Sequence, residues 1–499
     1  MPAARVLFKT PPPIMKFVKK ELALYTTALG MAMLHPASQQ AQITQLFVSA
    51  YNNVVVLDFD TDPPTVGYTG VGGGYEGCAH AEDADGNMIF WVQAIGMYDA
   101  NNTLMPGSVG ILADPSSAEM VICPIPGDPS RFYVIYNDQT CSNLYYSIVD
   151  MTLAGGLGDV TDLNTLITAG SFSEGLEIVR VPCQDYMWLL AYDCAQGIIR
   201  YRIDADGIGE PTLLQAFPSP GGYDGRGELD YHAGHMGIAF AWSNMTAWAD
   251  FDPVTGDFSN FNTLAVSPSA SCYGLEFSPS GQYAYVSSWY DTGGSDNFFV
   301  IDLASNSVID SYYLQPSAGS FTSLGEIELG PDGNLYMVID GGGFGAPQQG
   351  IKVIQNANDP INLTISEIMT TSSLALGMDD PIQSDLSGIV IGGIPDDEPV
   401  IPNVFTPNND GKNDKFVVGG IDLDLISDFK LVVFNRWGQE VHRGTSALQG
   451  WTGKVSGGDA PDGVYFFLMD LAYEAHGCGG ELLARKELPT QKGWVQLLR

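Results

Sequence analysis

The chain has 499 residues, with 21 Lys and Arg against 58 Asp and Glu, a formal net charge of −37. Such a field repels phosphate backbones, which excludes nucleic acid as a partner class, and it opposes unassisted docking to anionic lipid. A hydrophobic fraction of 45% marks a folded chain, and 58 Gly, 30 Pro, 23 Tyr and 23 Phe beside only 16% charged residues suit short strands joined by many turns.

Residues 1–41 read as an export signal. Lys16, Lys19 and Lys20 form a basic start, Leu22 to Leu34 a short apolar stretch, and small residues lead to a cleavage position near Ala41. Translation is expected to start at Met15. The apolar stretch is too short to span a bilayer, and no later run reaches the roughly 18 residues a transmembrane helix needs. The seven cysteines are scattered, with no C-x-x-C. They match neither a zinc site nor a dense disulfide framework, leaving room for one or two bridges after export.

Residues 42–395 carry the strand period throughout. Asn53–Phe59, Met88–Val92, Phe132–Tyr136, Met187–Tyr192, Phe298–Asp302 and Leu335–Ile339 are runs of β-branched and aromatic residues between Gly, Asp, Asn and Pro punctuation. A longer recurrence joins them. Glu276–Val286 (EFSPSGQYAYV) and Glu328–Val338 (ELGPDGNLYMV) both read strand, Pro-x-Gly turn, strand. Looser copies fall at Ala81–Trp91, Ile122–Val134, Ile178–Leu189 and Asp230–Trp242. Units that begin roughly 40–57 residues apart, four short strands each, predict a β-propeller of six to eight blades. Seven is favoured, because Asn53–Phe59 and Leu374–Gly392 together supply a further blade from both ends of the region. An array of β-sandwiches is the competing architecture.

Gly392–Val400 is a polar linker. Residues 396–499 then form a separate module whose short strands, at Ile401–Phe405, Lys415–Val418, Phe429–Phe434, Val464–Leu471 and Trp494–Leu498, predict an immunoglobulin-like sandwich. Five motifs follow in order: IPNVFTPNNDGKNDKF (Ile401–Phe416), LVVFNRWGQEVHRG (Leu431–Gly444), GWTGK (Gly450–Lys454), PDGVYFF (Pro461–Phe467) and KGWVQLLR (Lys492–Arg499). Together they closely resemble the gliding motility-associated C-terminal domain, the type B sorting domain of type IX secretion in Bacteroidota. Residues 50–390 are more loosely similar to the propeller-like domain often joined to it. The resemblance implies export through the periplasm, recognition by the type IX secretion machinery, passage across the outer membrane, and a product at the cell surface or released. It points to Asn408, Asp410, Asn413, Asp414, Arg436 and Trp437 for sorting and recognition. Trp437 is expected in the sandwich core, with Arg436 on the opposite face of its strand.

The chemistry-bearing residues give two function classes. A secreted binding or adhesin-like propeller, with a surface glycan or protein as ligand, is favoured. A hydrolase acting on polysaccharide or peptide at the propeller mouth is the alternative, and no catalytic residue is assigned. Asp410 and Asp414 offer oxygen ligands for calcium around Gly411, but an Asx-rich turn is the favoured reading; no other cofactor is implied. Asp83-x-Asp85-Gly86 and Asp204-x-Asp206-Gly207 read as hairpin turns. His232 and His235 would lie on opposite faces of one strand and read as packing or hydrogen-bonding residues. Gly72 to Gly77 match a dinucleotide fingerprint by letter but lack the following helix. Pairs of carboxylates carry no weight among 58 acids. Trp289 with Tyr290, and Trp242 with Trp248, read as core packing ahead of sugar stacking.

Overall fold

Alternation of large apolar and polar residues, with glycine at the bends, leaves this chain one efficient solution, the short antiparallel strand. The computed structural model describes residues 43–499 apart from 75, 84–85, 114–118, 139–141, 182–183, 220–225, 242, 290–294, 315–322, 341–349, 380–381, 384–398, 400, 409–413, 419–425, 446–449, 456–457 and 477–481. The export-signal segment lies outside the described residues. Among the described residues helix is confined to two short 3-10 turns, Pro106–Ser108 and Pro360–Asn362. None is long and apolar enough to cross a membrane.

The first part of the chain is a β-propeller. Strands Leu229–His232 to Asp257–Ala265 form one four-stranded antiparallel sheet, Cys272–Phe277 to Ser307–Tyr312 a second, and Ser323–Leu329 to Thr364–Met369 a third. The long strand Asp159–Arg180 pairs with Ser142–Asp150 along its first half and with Met187–Asp193 along its second, fusing two four-strand units into one sheet. The inner strands touch in sequence around a closed circle: Cys78–Glu82, Met120–Ile125, Asp159–Arg180, Leu229–His232, Cys272–Phe277, Ser323–Leu329 and Leu374–Met378, which returns to Cys78–Glu82. A sandwich array has no such circuit.

Both ends of the region build the closing sheet, as the sequence predicts: Leu374–Met378 pairs with Gln45–Ala50, which continues into Asn53–Asp58 and Thr65–Tyr68. The sequence recurrence also has its physical meaning here. Each copy contains an inner hairpin, such as Cys272–Phe277 with Tyr283–Ser288 and Ser323–Leu329 with Leu335–Asp340. Their turns end on Gly281 at φ +66° and Gly333 at φ +77°, the left-handed region glycine enters without a Cβ clash.

Apolar side chains of adjacent sheets fill the space between them. Trp248, for instance, is buried with Leu275, Phe277 and Val286, so it packs the core rather than a ligand. Tyr290 and Trp242 lie outside the described residues. Cys194 is disulfide-bonded, while Cys78, Cys123 and Cys272 are buried free thiols.

The C-terminal part is a sheet in the order Val404–Phe405, Gln491–Leu497, Gly463–His476, Ile426–Phe434, Glu440–Gly444, with Leu482–Glu487 also pairing Gly463–His476 and a small two-stranded sheet beside it. Phe405, Phe416, Val433, Trp451, Phe467 and Val495 fill its core.

Candidate functional site

The inner strands place acids on the propeller axis, and each acid grips the next strand. Leu176 N–H donates to Glu119 Oε2 at 3.1 Å, and Gly227 N–H to Glu174 Oε2 at 3.3 Å. Leu275 N–H donates to Glu228 Oε2 at 2.6 Å, and Ile327 N–H reaches the same oxygen at 3.4 Å. Leu329 N–H donates to Glu276 Oε2 at 2.7 Å, Met378 N–H to Glu326 Oε2, and Phe47 N–H to Asp379 Oδ1 at 2.6 Å. Apart from Asp379, whose partner Phe47 lies in the second strand of its sheet, the carboxylates thus satisfy amides that an inner strand, with no sheet partner on its axial side, would leave unpaired in a buried setting.

Glycine makes the circle tight enough for this. A Cβ on Gly274 would sit 2.6 Å from Gly325 O, one on Gly325 2.3 Å from Leu376 O, and one on Gly377 2.9 Å from Gly77 N. Consecutive inner strands approach closer than any side chain permits.

At the ring closure a buried His80 stands between two carboxylates. Its Nδ1–H donates to Asp379 Oδ2 and its Nε2–H to Glu82 Oε1 at 3.2 Å, and the imidazole stacks on Phe47 at 4.3 Å. Glu82 in turn accepts the Thr44 N–H at 3.0 Å. Burial alone would push the imidazole down, but Asp379 and Glu82 outweigh it and hold His80 up at about 9.

The remaining acids move the same way for a different reason. Burial, then neighbouring carboxylates, hold Glu119, Glu174, Glu228 and Glu276 well above the usual carboxylate range. Burial pushes Glu326 up to about 8 against the pull of the Met378 N–H. At neutral pH part of the ring therefore keeps its protons. Glu276 shares a side-chain hydrogen bond with Asp230, and Glu228 shares one with Glu328.

Near the starts of the inner strands a second cluster gathers around Tyr273. Glu76, Glu174 and Glu326 surround its buried hydroxyl, Glu76 by a hydrogen bond. Arg226 Nε lies 3.9 Å from Glu174 Oε1, and the Trp289 ring centroid is 6.3 Å from that of Tyr273. Gln93 Oε1 receives the Gly73 N–H at 2.7 Å, which folds the glycine-rich loop beside this cluster.

The sequence missed this ring because it weighed acids in pairs. The available signal was positional: Glu174-Gly175, Gly227-Glu228, Gly274-Leu275-Glu276, Gly325-Glu326 and Gly377-Met378-Asp379 set a glycine within two residues of the acid at one inner strand after another.

The predicted sorting residues are only partly brought together. Asp410 and Asn413 lie outside the described residues. Asn408 is exposed, its N–H on Thr406 O at 2.7 Å, and Asp414 is half-buried. Trp437 corrects the sequence reading, being 72% exposed, while Trp451 at 1% occupies the core and donates its indole N–H to Lys454 O at 3.0 Å. Residues 435–439 form a turn in which Asn435 Oδ1 accepts the Trp437 and Gln439 N–H groups, each at 3.0 Å. Strand alternation does not apply there, so Arg436 lies over the Trp437 ring, 4.4 Å from its centroid, instead of opposite it.

His232 and His235 make polar contacts, as expected, but they stand on two paired strands and not on opposite faces of one. They face each other across a two-residue hairpin, yet His232 bonds Pro279 O at 3.2 Å and His235 pairs with Asp250 at 3.1 Å. Asp83 and Asp204 hold their own turns, accepting the N–H of Asn87 and Asp206. No group of three metal-ligating side chains occurs among the described residues.

Residues 400–497 match the CHU_C type IX secretion signal domain. The C-terminal module is therefore a type IX secretion signal domain, and it directs the chain to the cell surface or the extracellular space through that machinery. Solved structures similar to the chain include a protein from Lactobacillus plantarum, at 13% identity over 67% of this chain and 98% of that one, TM-score 0.44. Apo AztD from Citrobacter koseri is similar at 12% identity over 67% and 96%, TM-score 0.39. The periplasmic gluconolactonase PpgL of Pseudomonas aeruginosa is similar at 13% over 84% and 99%, TM-score 0.37. No curated protein matches the sequence.

Proposed function

We propose that the chain is a secreted, non-catalytic binding protein: an export signal over residues 1–41, a seven-bladed binding propeller over 42–395 and the sorting domain over 396–499. The observation that carries this is the engagement of the axial carboxylates. Glu119, Glu228, Glu276 and Glu326 each accept a backbone N–H of another inner strand, Glu174 accepts that of Gly227 just before one, and Asp379 accepts that of Phe47 in the second strand of its own sheet. A general acid or base must be free to exchange its proton with substrate, and these groups are committed to holding the ring shut. We assign recognition by the export machinery to the Asn408–Asp414 loop.

The test uses the full exported chain. It is incubated with lactone, glycoside and peptide substrates, and in parallel with washed cell envelopes of the producing strain. Saturable envelope binding without turnover is expected. Turnover that disappears in Glu174→Gln would establish the hydrolase alternative instead.

A further inference from the structure

The outer face of the sorting-domain sheet is an aromatic groove with cationic edges. Along Gly463–His476 the residues alternate, Tyr465, Phe467 and Met469 entering the core while Val464, Phe466 and Leu468 face outward. Across the strands Phe466 pairs with Trp494 on one side and Phe434 on the other, so three rings lie in one row. Trp494 is 50% exposed and Phe466 49%. A groove of about 610 Å³ follows this row, bounded by Asn435, Arg436 and Lys492. An apolar face of this kind in a folded domain marks an interaction site.

Its polar edge is one-sided. Arg436 and Lys492 only donate. Asn435 Oδ1 is spent on the Trp437 and Gln439 N–H groups and its amide on Gln439 Oε1 at 3.0 Å. The carboxylates around the face are also taken: Glu440, cross-strand from Phe434, by Arg443 at 2.9 Å, and Asp470 by Thr490 at 2.8 Å. No carboxylate lines the groove. Charge is also segregated along the chain. The last hundred residues hold ten of the 21 Lys and Arg but only twelve of the 58 acids, so this domain escapes the field that the sequence as a whole implies.

A polypeptide laid in the groove would bring backbone N–H groups that need acceptors, and the groove's side chains offer none. A ligand rich in acceptors and negative charge, with flat C–H faces to lie on aromatic rings, fits every feature. We propose that this face binds a polysaccharide strand bearing carboxylate groups, with sugar rings on Phe466 and Trp494 and carboxylates on Arg436 and Lys492. This stands apart from the propeller reading, since it concerns a different domain and different residues.

The experiment titrates the full exported chain at about 0.15 M salt, where charges more than about 8 Å away are screened. The probes are polygalacturonate, which is carboxylated, and dextran, which is neutral. Polygalacturonate should bind at least tenfold more tightly than dextran and weaken as salt rises. Trp494→Ala and the double change Arg436→Glu with Lys492→Glu should each weaken it at least tenfold while leaving the thermal melt unchanged. Lys492→Arg should retain binding and guards against loss through misfolding. Equal affinity for both polymers, or no effect of these substitutions, overturns the proposal. So does a result in which the same variants bind normally but fail to leave the periplasm, since the face would then belong to the export machinery.

Discussion

His80 and Asp379 lie 299 residues apart in sequence, yet the imidazole Nδ1–H donates directly to the carboxylate inside the ring closure. Both side chains are fully buried, and the pair spans the junction between the last inner strand and the first.

Asp379→Asn should therefore weaken the whole ring. It leaves a buried imidazolium short of one counter-charge, and breaking a buried ion pair costs about 3–5 kcal/mol. Denaturant unfolding of the full chain, followed through tryptophan fluorescence, should show the midpoint fall with little change in slope. His80→Phe, which keeps the stack on Phe47 but leaves two carboxylates facing one another, should fall as well.

Stability should decline from mildly acidic to alkaline pH. Glu326 titrates near 4.5 when unfolded and about 8 when folded, so the folded state holds the extra proton between those values. His80 does the same between 6.5 and about 9. In each case the folded state binds more protons than the unfolded one, and stability is lost as pH rises through the folded value. Melting temperatures at pH 5.5 should exceed those at pH 9.5, and Glu326→Gln should flatten the profile between pH 5 and 8.

Gly325→Ala should destabilise the propeller strongly although it adds one methyl group. The new Cβ would lie 2.3 Å from the Leu376 carbonyl oxygen, a backbone atom that cannot step aside. Overpacking of this kind costs about 1–3 kcal/mol, and the same denaturant titration reads it.

The two tryptophans of the sorting domain should behave oppositely. Trp451→Ala removes a buried indole and should cost about 3–5 kcal/mol. Trp437→Ala, at an exposed position, should stay within about 0.5 kcal/mol. Equal losses would contradict the placement of these rings.

Removing residues 400–497 should leave the protein in the periplasm of a host with type IX secretion, while the intact chain reaches the surface or medium. Fractionation followed by immunoblotting checks this, and equal delivery of both forms would refute it.

How far the sequence revealed this structure depended on the range of the interaction concerned. Turn chemistry is local, so Gly281 and Gly333 announced the inner hairpins, and the closing sheet followed from apolar runs at Asn53–Phe59 and Leu374. The environment of Trp437 is set by the turn that Asn435 organises, and periodicity carries no information inside a turn. The axial ring stayed hidden because each of its bonds joins separate strands. Glu228 and Leu275 are 47 positions apart, and a single acid among 58 has no mark of its own until the repeats are superposed.

The circular pairing of Gln45–Ala50 with Leu374–Met378 imposes an order of events on a chain synthesised from its N-terminus. The first strands emerge with one edge bare and must wait for more than three hundred further residues before their partner arrives. Until then the assembly is an open arc with adhesive ends, vulnerable to proteases and to other unfinished copies. The sorting domain follows the sealing strand, so a chain broken off during synthesis lacks both its last seam and its passport. Only molecules able to finish the circle carry the signal to leave.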